Sequence, residues 1–369
     1  MPTLHDVTDK TKLLLKWGGI TLGAFLAILL LYRGGLFVKN TFFPKKAPPP
    51  AAAFGKLDPI VFPQTNTSNS LSYTIDTVTG KLPELFDENK NPRDRISVHK
   101  LLRSELTLLD LQDTRKSVQK AGFTGTGVQI SGDIYRFQKY ETLPKTLDID
   151  IVSRNFTLSS AFAFNEMILQ GGSLPQGADA IRITTTLAKT LGASTDDIDT
   201  TKTKIQLLRL KNGVLLDAET REEAQIIRID YFQNAQNQLP IYYPKGVYST
   251  MYFLVGSSTK KDSGIVLSNF FHQRIGEQQS TYPIKSVQTA FSELKEGKGY
   301  IAANFVKGST IQIKDIFLGY YLGNEYEEYL MPIYIFKGRE DEFYAYVSAI
   351  SEDLIKTTAS LTPASGQNK

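Results

Sequence analysis

Two places in the chain put a serine three residues ahead of a lysine, "SVHK" at 97–100 and "SSTK" at 257–260. That is the nucleophile spacing of penicillin-recognising serine enzymes, but the Lys-Thr-Gly strand that accompanies it there is absent. The run "GFTGTGVQISGD" at 122–133 has the composition of a phosphate cradle. It follows a helix-like segment and lacks both the GxGxxG order and a Gly-Lys-Ser/Thr ending, so it reads as a helix-to-strand loop. His5, His99 and His272 stand isolated, with no HExxH and no cysteine in the chain, which leaves no zinc-ligand set. "DDID" at 196–199 and "NEYEEY" at 324–329 gather carboxylates without the glycine and distal glutamate of a calcium loop, and read as solvated turns. Asp148 and Asp150 fall on one face of a strand, as residues of a solvent-facing edge. No catalytic, cofactor-binding or metal-binding residue is assigned, and the chain is read as a non-enzyme.

The chemistry that remains is that of tyrosine. Of 18 tyrosines, many crowd the C-terminal third, and Tyr242, Tyr252, Tyr334, Tyr344 and Tyr346 are the candidate interaction surface. An apolar ring with a polar tip suits a protein or peptide groove. The alternative is that these rings cover a sheet or a helix within the fold.

The elements that must carry these residues are three amphipathic helices, each stopped by glycine and followed by strands. "SVQTAFSELKEG" at 286–297 opens on Ser286 as N-cap and places Val287, Ala290, Phe291 and Leu294 on one face. "ADAIRITTTLAKTLG" at 178–192 and "DLQDTRKSVQKAG" at 110–122 have the same design. Strands are expected at 300–305, 310–323, 329–338 and 343–350 after the last helix, and at 204–210, 224–232, 239–243 and 250–256 after the middle one. The first helix has a looser set at 133–139 and 147–159, with further strands at 71–77 and 96–101 ahead of it. Leu239–Val255 aligns without a gap on Met331–Val347 with seven identities in seventeen positions, where average residue usage would give about one. Pro240 and Pro332 sit at strand starts and Gly246 and Gly338 open turns, so each copy reads as a hairpin.

Residues 17–32, "WGGITLGAFLAILLLY", carry no charge and lie between Lys16 and Arg33. With both cations snorkelling, 13–38 is long enough for a membrane helix. A cleaved signal peptide is disfavoured because bulky residues follow the apolar run, and a buried core helix is the other alternative. Flanking lysines and arginines do not settle the orientation, and a short N-terminal tail ahead of a large domain places that domain outside the cytoplasm. The expected organisation is a tail at 1–12, the anchor at 13–38, a Pro/Ala linker at 39–54, α+β units at 55–175, 176–262 and 263–352, and a polar tail at 353–369. The net charge of +4 comes from 42 basic and 38 acidic residues spread through the chain, so nucleic acid is not an expected partner.

"YPIKSVQTAFSELKEG", "IQIKDIFLGYYLG" and "YLMPIYIFKGREDEFYAYVSAI" resemble the repeated modules of the YycH/YycI regulators and related PepSY-like domains, over 282–350 and more faintly 178–256. The resemblance implies a non-enzymatic accessory protein that binds a membrane partner such as a sensor kinase, or restrains an envelope protease. The expected protein is therefore α+β, anchored by one N-terminal helix, largely extracytoplasmic, and acting through protein interaction without a cofactor. The alternative is an envelope enzyme or small-ligand or peptide binder with a site assembled between repeats.

Overall fold

The computed structural model describes residues 17, 25–33, 50–64, 71–87, 90–141, 143–164, 173–257, 264–306, 308–339 and 342–357. Residues 1–49 with 86–91 form one compact unit, and 50–85 with 92–369 the other. In the first, residues 17 and 25–33 are helical, and Phe25, Ile28, Leu30 and Leu31 are exposed. Among the described residues no helix is long and apolar enough to cross a membrane, and the rest of the 13–38 segment lies outside them.

The larger unit is α+β. In chain order, β1 (Ser72–Ile75) and β2 (Arg95–Leu102) precede helix α1 (Asp110–Lys120), which leads into β3 (Thr124–Ser131), β4 (Ile134–Lys139), β5 (Lys145–Asp150) and β6 (Phe156–Ser160). Helix α2 (Gly177–Leu191) is followed by β7 (Lys204–Lys211), β8 (Val214–Asp217), β9 (Ile226–Tyr231), β10 (Ile241–Tyr242), β11 (Met251–Val255), β12 (Ile265–Phe270) and β13 (Arg274–Pro283). Helix α3 (Val287–Lys295) is followed by β14 (Tyr300–Asn304), β15 (Thr310–Ile313), β16 (Asp315–Tyr321), β17 (Tyr329–Lys337) and β18 (Phe343–Ser348). All three expected helices are present. Ser286 caps α3 by accepting the Thr289 N–H at 3.1 Å, and Gly192 ends α2 in the left-handed conformation that only glycine adopts without strain.

Apart from β1, β2 and β10, the strands of the first two expected units do not form separate sheets. They join in one nine-stranded sheet in the order β3-β4-β5-β6-β12-β11-β9-β7-β8, closed at its centre by the antiparallel pair β6 and β12. Strand β12, which was not expected and whose residues fall within the third expected unit, joins this sheet instead. One face carries a core in which Val118 of α1 and Ala180, Ala188 and Leu191 of α2 meet Leu147, Phe156, Ile229 and Phe253 of the strands. The opposite face has a smaller cluster around Phe162, Leu210 and Val266. Edge strand β3 occupies the glycine-rich run expected to be a loop. Its pairing with β4 is interrupted by register shifts, and at Gly127, with φ of 77°, a Cβ would lie 2.5 Å from the Phe137 ring. The glycines therefore let a bulged strand pass over a buried aromatic.

The second sheet runs β10-β16-β17-β18-β14, with β2 pairing both β17 and β13. Its β17–β18 hairpin has the expected form, with Ile335 opposite Tyr346. The copy at 239–255 does not. Strand β10 pairs parallel with β16, Tyr242 opposite Tyr321, while β11 lies between β9 and β12 in the other sheet. A tight turn at 243–248, with Gly246 at φ of 62°, sends the chain from one sheet to the other. The linker and tail are also corrected in part. From Ala51 the chain is hydrogen-bonded to β13, and Leu57 is fully buried and pairs with Ile355.

Candidate functional site

The expected tyrosine surface is largely interior. Tyr334, Tyr344 and Tyr346 are buried, and only Tyr242 and Tyr252 keep intermediate exposure. The tyrosine face of β18 is covered by 60–62 and by the 242–247 turn. Tyr346 Oη donates to the Tyr243 carbonyl at 3.2 Å and Tyr300 Oη to the Pro244 carbonyl at 2.7 Å. Burial pushes the Tyr334 hydroxyl up to about 12 and that of Tyr346 well above its ordinary value. These rings hold the turn that links the two sheets.

A polar site forms instead where segments far apart in sequence meet, around a cleft of about 470 Å³. Its wall begins at His272, just beyond β12. The imidazole is 5% exposed, and its Nε2 lies 2.7 Å from Asp197 Oδ1. The second oxygen of Asp197 accepts from Gln233 Nε2 at 2.8 Å. Burial pushes the Asp197 carboxyl up, but the bonds from His272 and Gln233 outweigh it and hold the group below the ordinary aspartate range. Asn155, at the start of β6, clasps the His272 backbone, accepting its N–H at 2.9 Å and donating to its carbonyl at 3.0 Å. The same Nδ2 reaches Tyr326 Oη at 3.1 Å, and that hydroxyl donates to Asp150 Oδ2, also at 3.1 Å. Asp150 Oδ1 accepts the Val152 and Ser153 N–H groups, fixing the turn between β5 and β6.

Around this wall the cleft presents Arg103 and Arg274 against Glu105, Asp133 and Asp150, with Leu102, Leu106 and Val152 as its apolar lining. Arg103 lies over the Tyr326 ring, 5.4 Å from its centroid. Behind Tyr326, Gln273 braces the same loop, donating to the Glu325 carbonyl at 2.9 Å and accepting the Glu327 N–H at 3.0 Å. Burial, reinforced by Glu325 and opposed by a bond from the Gly323 N–H, pushes the Glu327 carboxyl up to about 8. Both acidic runs expected as solvated turns thus contribute to the interior, Asp197 through its partners and Glu327 through desolvation.

The other motifs fall elsewhere. Ser97 and Lys100 both lie on β2, where an odd spacing sends side chains to opposite faces, so they cannot act together. Lys260 lies outside the described residues. Asp148 is bound by Arg136 through two bonds of 2.7 Å, and β5 is an interior strand of its sheet, not an edge. Among the described residues no cluster of His, Cys, Asp or Glu has a metal-holding arrangement. The site residues carried one weak sequence signal, a polar "HQR" following the apolar strand that ends "SNFF".

No family model matches the chain, and no curated protein matches it. Among solved structures, an uncharacterized protein from Eubacterium rectale aligns over 70% of this chain and 84% of its own, at 12% identity and a TM-score of 0.32. The Bacillus megaterium YpeB C-terminal domain aligns over 68% of this chain and 95% of its own, at 11% identity and a TM-score of 0.32. Likeness of this degree carries no argument about function, which rests on the geometry above.

Proposed function

We propose that this protein is a membrane-tethered, non-enzymatic binding protein that recognises a peptide bearing both charges in the cleft beside His272 and Tyr326. The observation that carries the reading is the mixed lining of that cleft, two arginines against three carboxylates with apolar side chains beside them. Such a lining complements a zwitterion, because each charged end of the peptide meets its opposite. The wall is rigid because Asn155, Asp150 and Asp197 are all committed to its hydrogen bonds, which spares the cost of ordering it on binding. The site draws on β5, β6, the loop after β12 and the loop before β17, and so matches the alternative of a site assembled between repeats better than a tyrosine surface. An accessory role like that of the YycH/YycI regulators, acting through a short peptide with free ends, fits the same cleft.

Calorimetric titration of the full chain in detergent with tetra-alanine tests the proposal. Saturable binding is expected, weakened about tenfold by capping both peptide ends and by Arg274→Ala, since each removes a charge-assisted contact. Equal heats for capped and free peptide, or no effect of Arg274→Ala, would overturn it.

The tether is supported by the uncharged run at 17–32 and by the exposed apolar side chains of the helical residues 25–33. We place the large unit outside the cytoplasm. The chain has no cysteine and Ser309 is exposed, so Ser309→Cys should react with an impermeant maleimide in intact cells. Labelling that appears only after lysis would reverse the orientation.

A further inference from the structure

A second concavity differs from the cleft in the sign of its charge. Arg228 of β9 is gripped by the buried carboxylate of Asp230, through Nε at 2.7 Å and Nη2 at 2.8 Å. Its guanidinium lies 4.5 Å from the Tyr248 ring centroid and 4.1 Å from that of Tyr252. This grip holds the guanidinium in one orientation and leaves Nη1 without a hydrogen-bond partner among the described residues. The pocket in front of it, about 260 Å³, includes Lys245 and the amides of Asn269 and Asn324. A hollow of about 490 Å³ is lined by Lys202 and Lys204, and Lys204 Nζ sits 5.5 Å from the centroid of Tyr248, a residue of the first pocket. Neither lining contains a carboxylate.

Asp230 is engaged by Arg228 and Asp199 by Lys202 at 3.5 Å. Lys204 and Lys245 have no carboxylate partner among the described residues. The groove therefore carries uncompensated positive charge beside a pre-oriented guanidinium, the arrangement that favours a multi-oxygen anion.

We propose that this groove binds a phosphate ester, the phosphate held by Lys204, Arg228 and Lys245. The same chemistry occurs in a soluble polyol phosphate and in a glycerol-phosphate lipid headgroup. Titration of the full chain in detergent with sn-glycerol 3-phosphate, with glycerophosphoglycerol and with glycerol separates them. Saturable binding of at least one phosphate ester, none of glycerol, and affinity falling with added salt are expected. Preference for the monoester marks a soluble ligand, and preference for the diester marks a lipid headgroup. Lys245→Gln and Lys204→Gln, which leave the buried Asp230 paired, should each weaken binding about tenfold. Arg274→Ala, in the other cleft, should leave it unchanged. The proposal fails if neither ester binds, if glycerol binds equally well, or if both lysine variants bind like the parent chain.

Discussion

Asn155→Ala is expected to destabilise the protein by about 3 kcal/mol, measured as a fall in the denaturant midpoint at constant slope. The substitution removes one side chain but strands several partners. The His272 N–H and carbonyl lose their bonds at 2.9 and 3.0 Å, and Tyr326 Oη loses its donor at 3.1 Å. Asn155 is 8% exposed and His272 5%, so water cannot simply take its place, and each stranded buried group costs about 1–3 kcal/mol. The cavity left by a side chain of this size adds to the loss. Peptide affinity should fall together with stability, because the Tyr326 hydroxyl then keeps Asp150 as acceptor but loses its donor. Tyr326→Phe separates the two effects. It removes the hydroxyl that Asn155 and Asp150 share while leaving the His272 clasp intact, so it should lower affinity with a stability cost of about 1 kcal/mol. Wild-type stability in Asn155→Ala would show that the clasp does not hold the wall.

The second large effect is pH-dependent and arises at Glu327. Its folded-state pKa is raised to about 8, with burial as the main cause, above the value of about 4.3 expected in the unfolded chain. Between those values the folded protein keeps a proton that the unfolded chain has released, so stability must fall as pH rises. The contribution is fully present below the unfolded pKa and is lost by the time pH passes the folded one. Full linkage over this window amounts to about 5 kcal/mol, and the partial solvent contact of the residue reduces the expected loss to about 2–4 kcal/mol. Glu327→Gln keeps the shape and cannot ionise. It should match the parent chain near pH 4.5 and exceed it by that margin at pH 8.5, with the difference between the two unfolding curves tracing a single titration. Asp197, whose folded pKa is depressed, acts in the opposite sense and in a separate window, its contribution being lost as pH falls through its folded value. A difference between Glu327→Gln and the parent chain that does not vary with pH would place the carboxyl in solvent.

The amino-acid sequence by itself determined the local elements. The apolar stripe of Val287, Ala290, Phe291 and Leu294, the Ser286 cap and the terminal glycines specify helices from contacts within a turn or two of the chain. Alternation of apolar residues likewise located most strands, and the α+β class follows from their order. The tertiary structure decided which strands pair. Nothing local distinguishes a hairpin at 239–255 from a crossover between sheets, because both need a proline-led strand and a turn glycine. That choice depends on whether β10 finds a better edge in β16 than in β11. The same decision buried the tyrosines, since a ring that would face solvent on an isolated hairpin lies beneath the turn that the crossover creates. It also made the cleft. Asp150, Asn155, Asp197, His272 and Tyr326 are separated by as many as 176 positions, so no spacing rule connects them. A lone histidine or an acidic run has the same appearance in sequence whether solvated or partnered. Only the meeting of two sheets removes the water and makes such residues depend on one another.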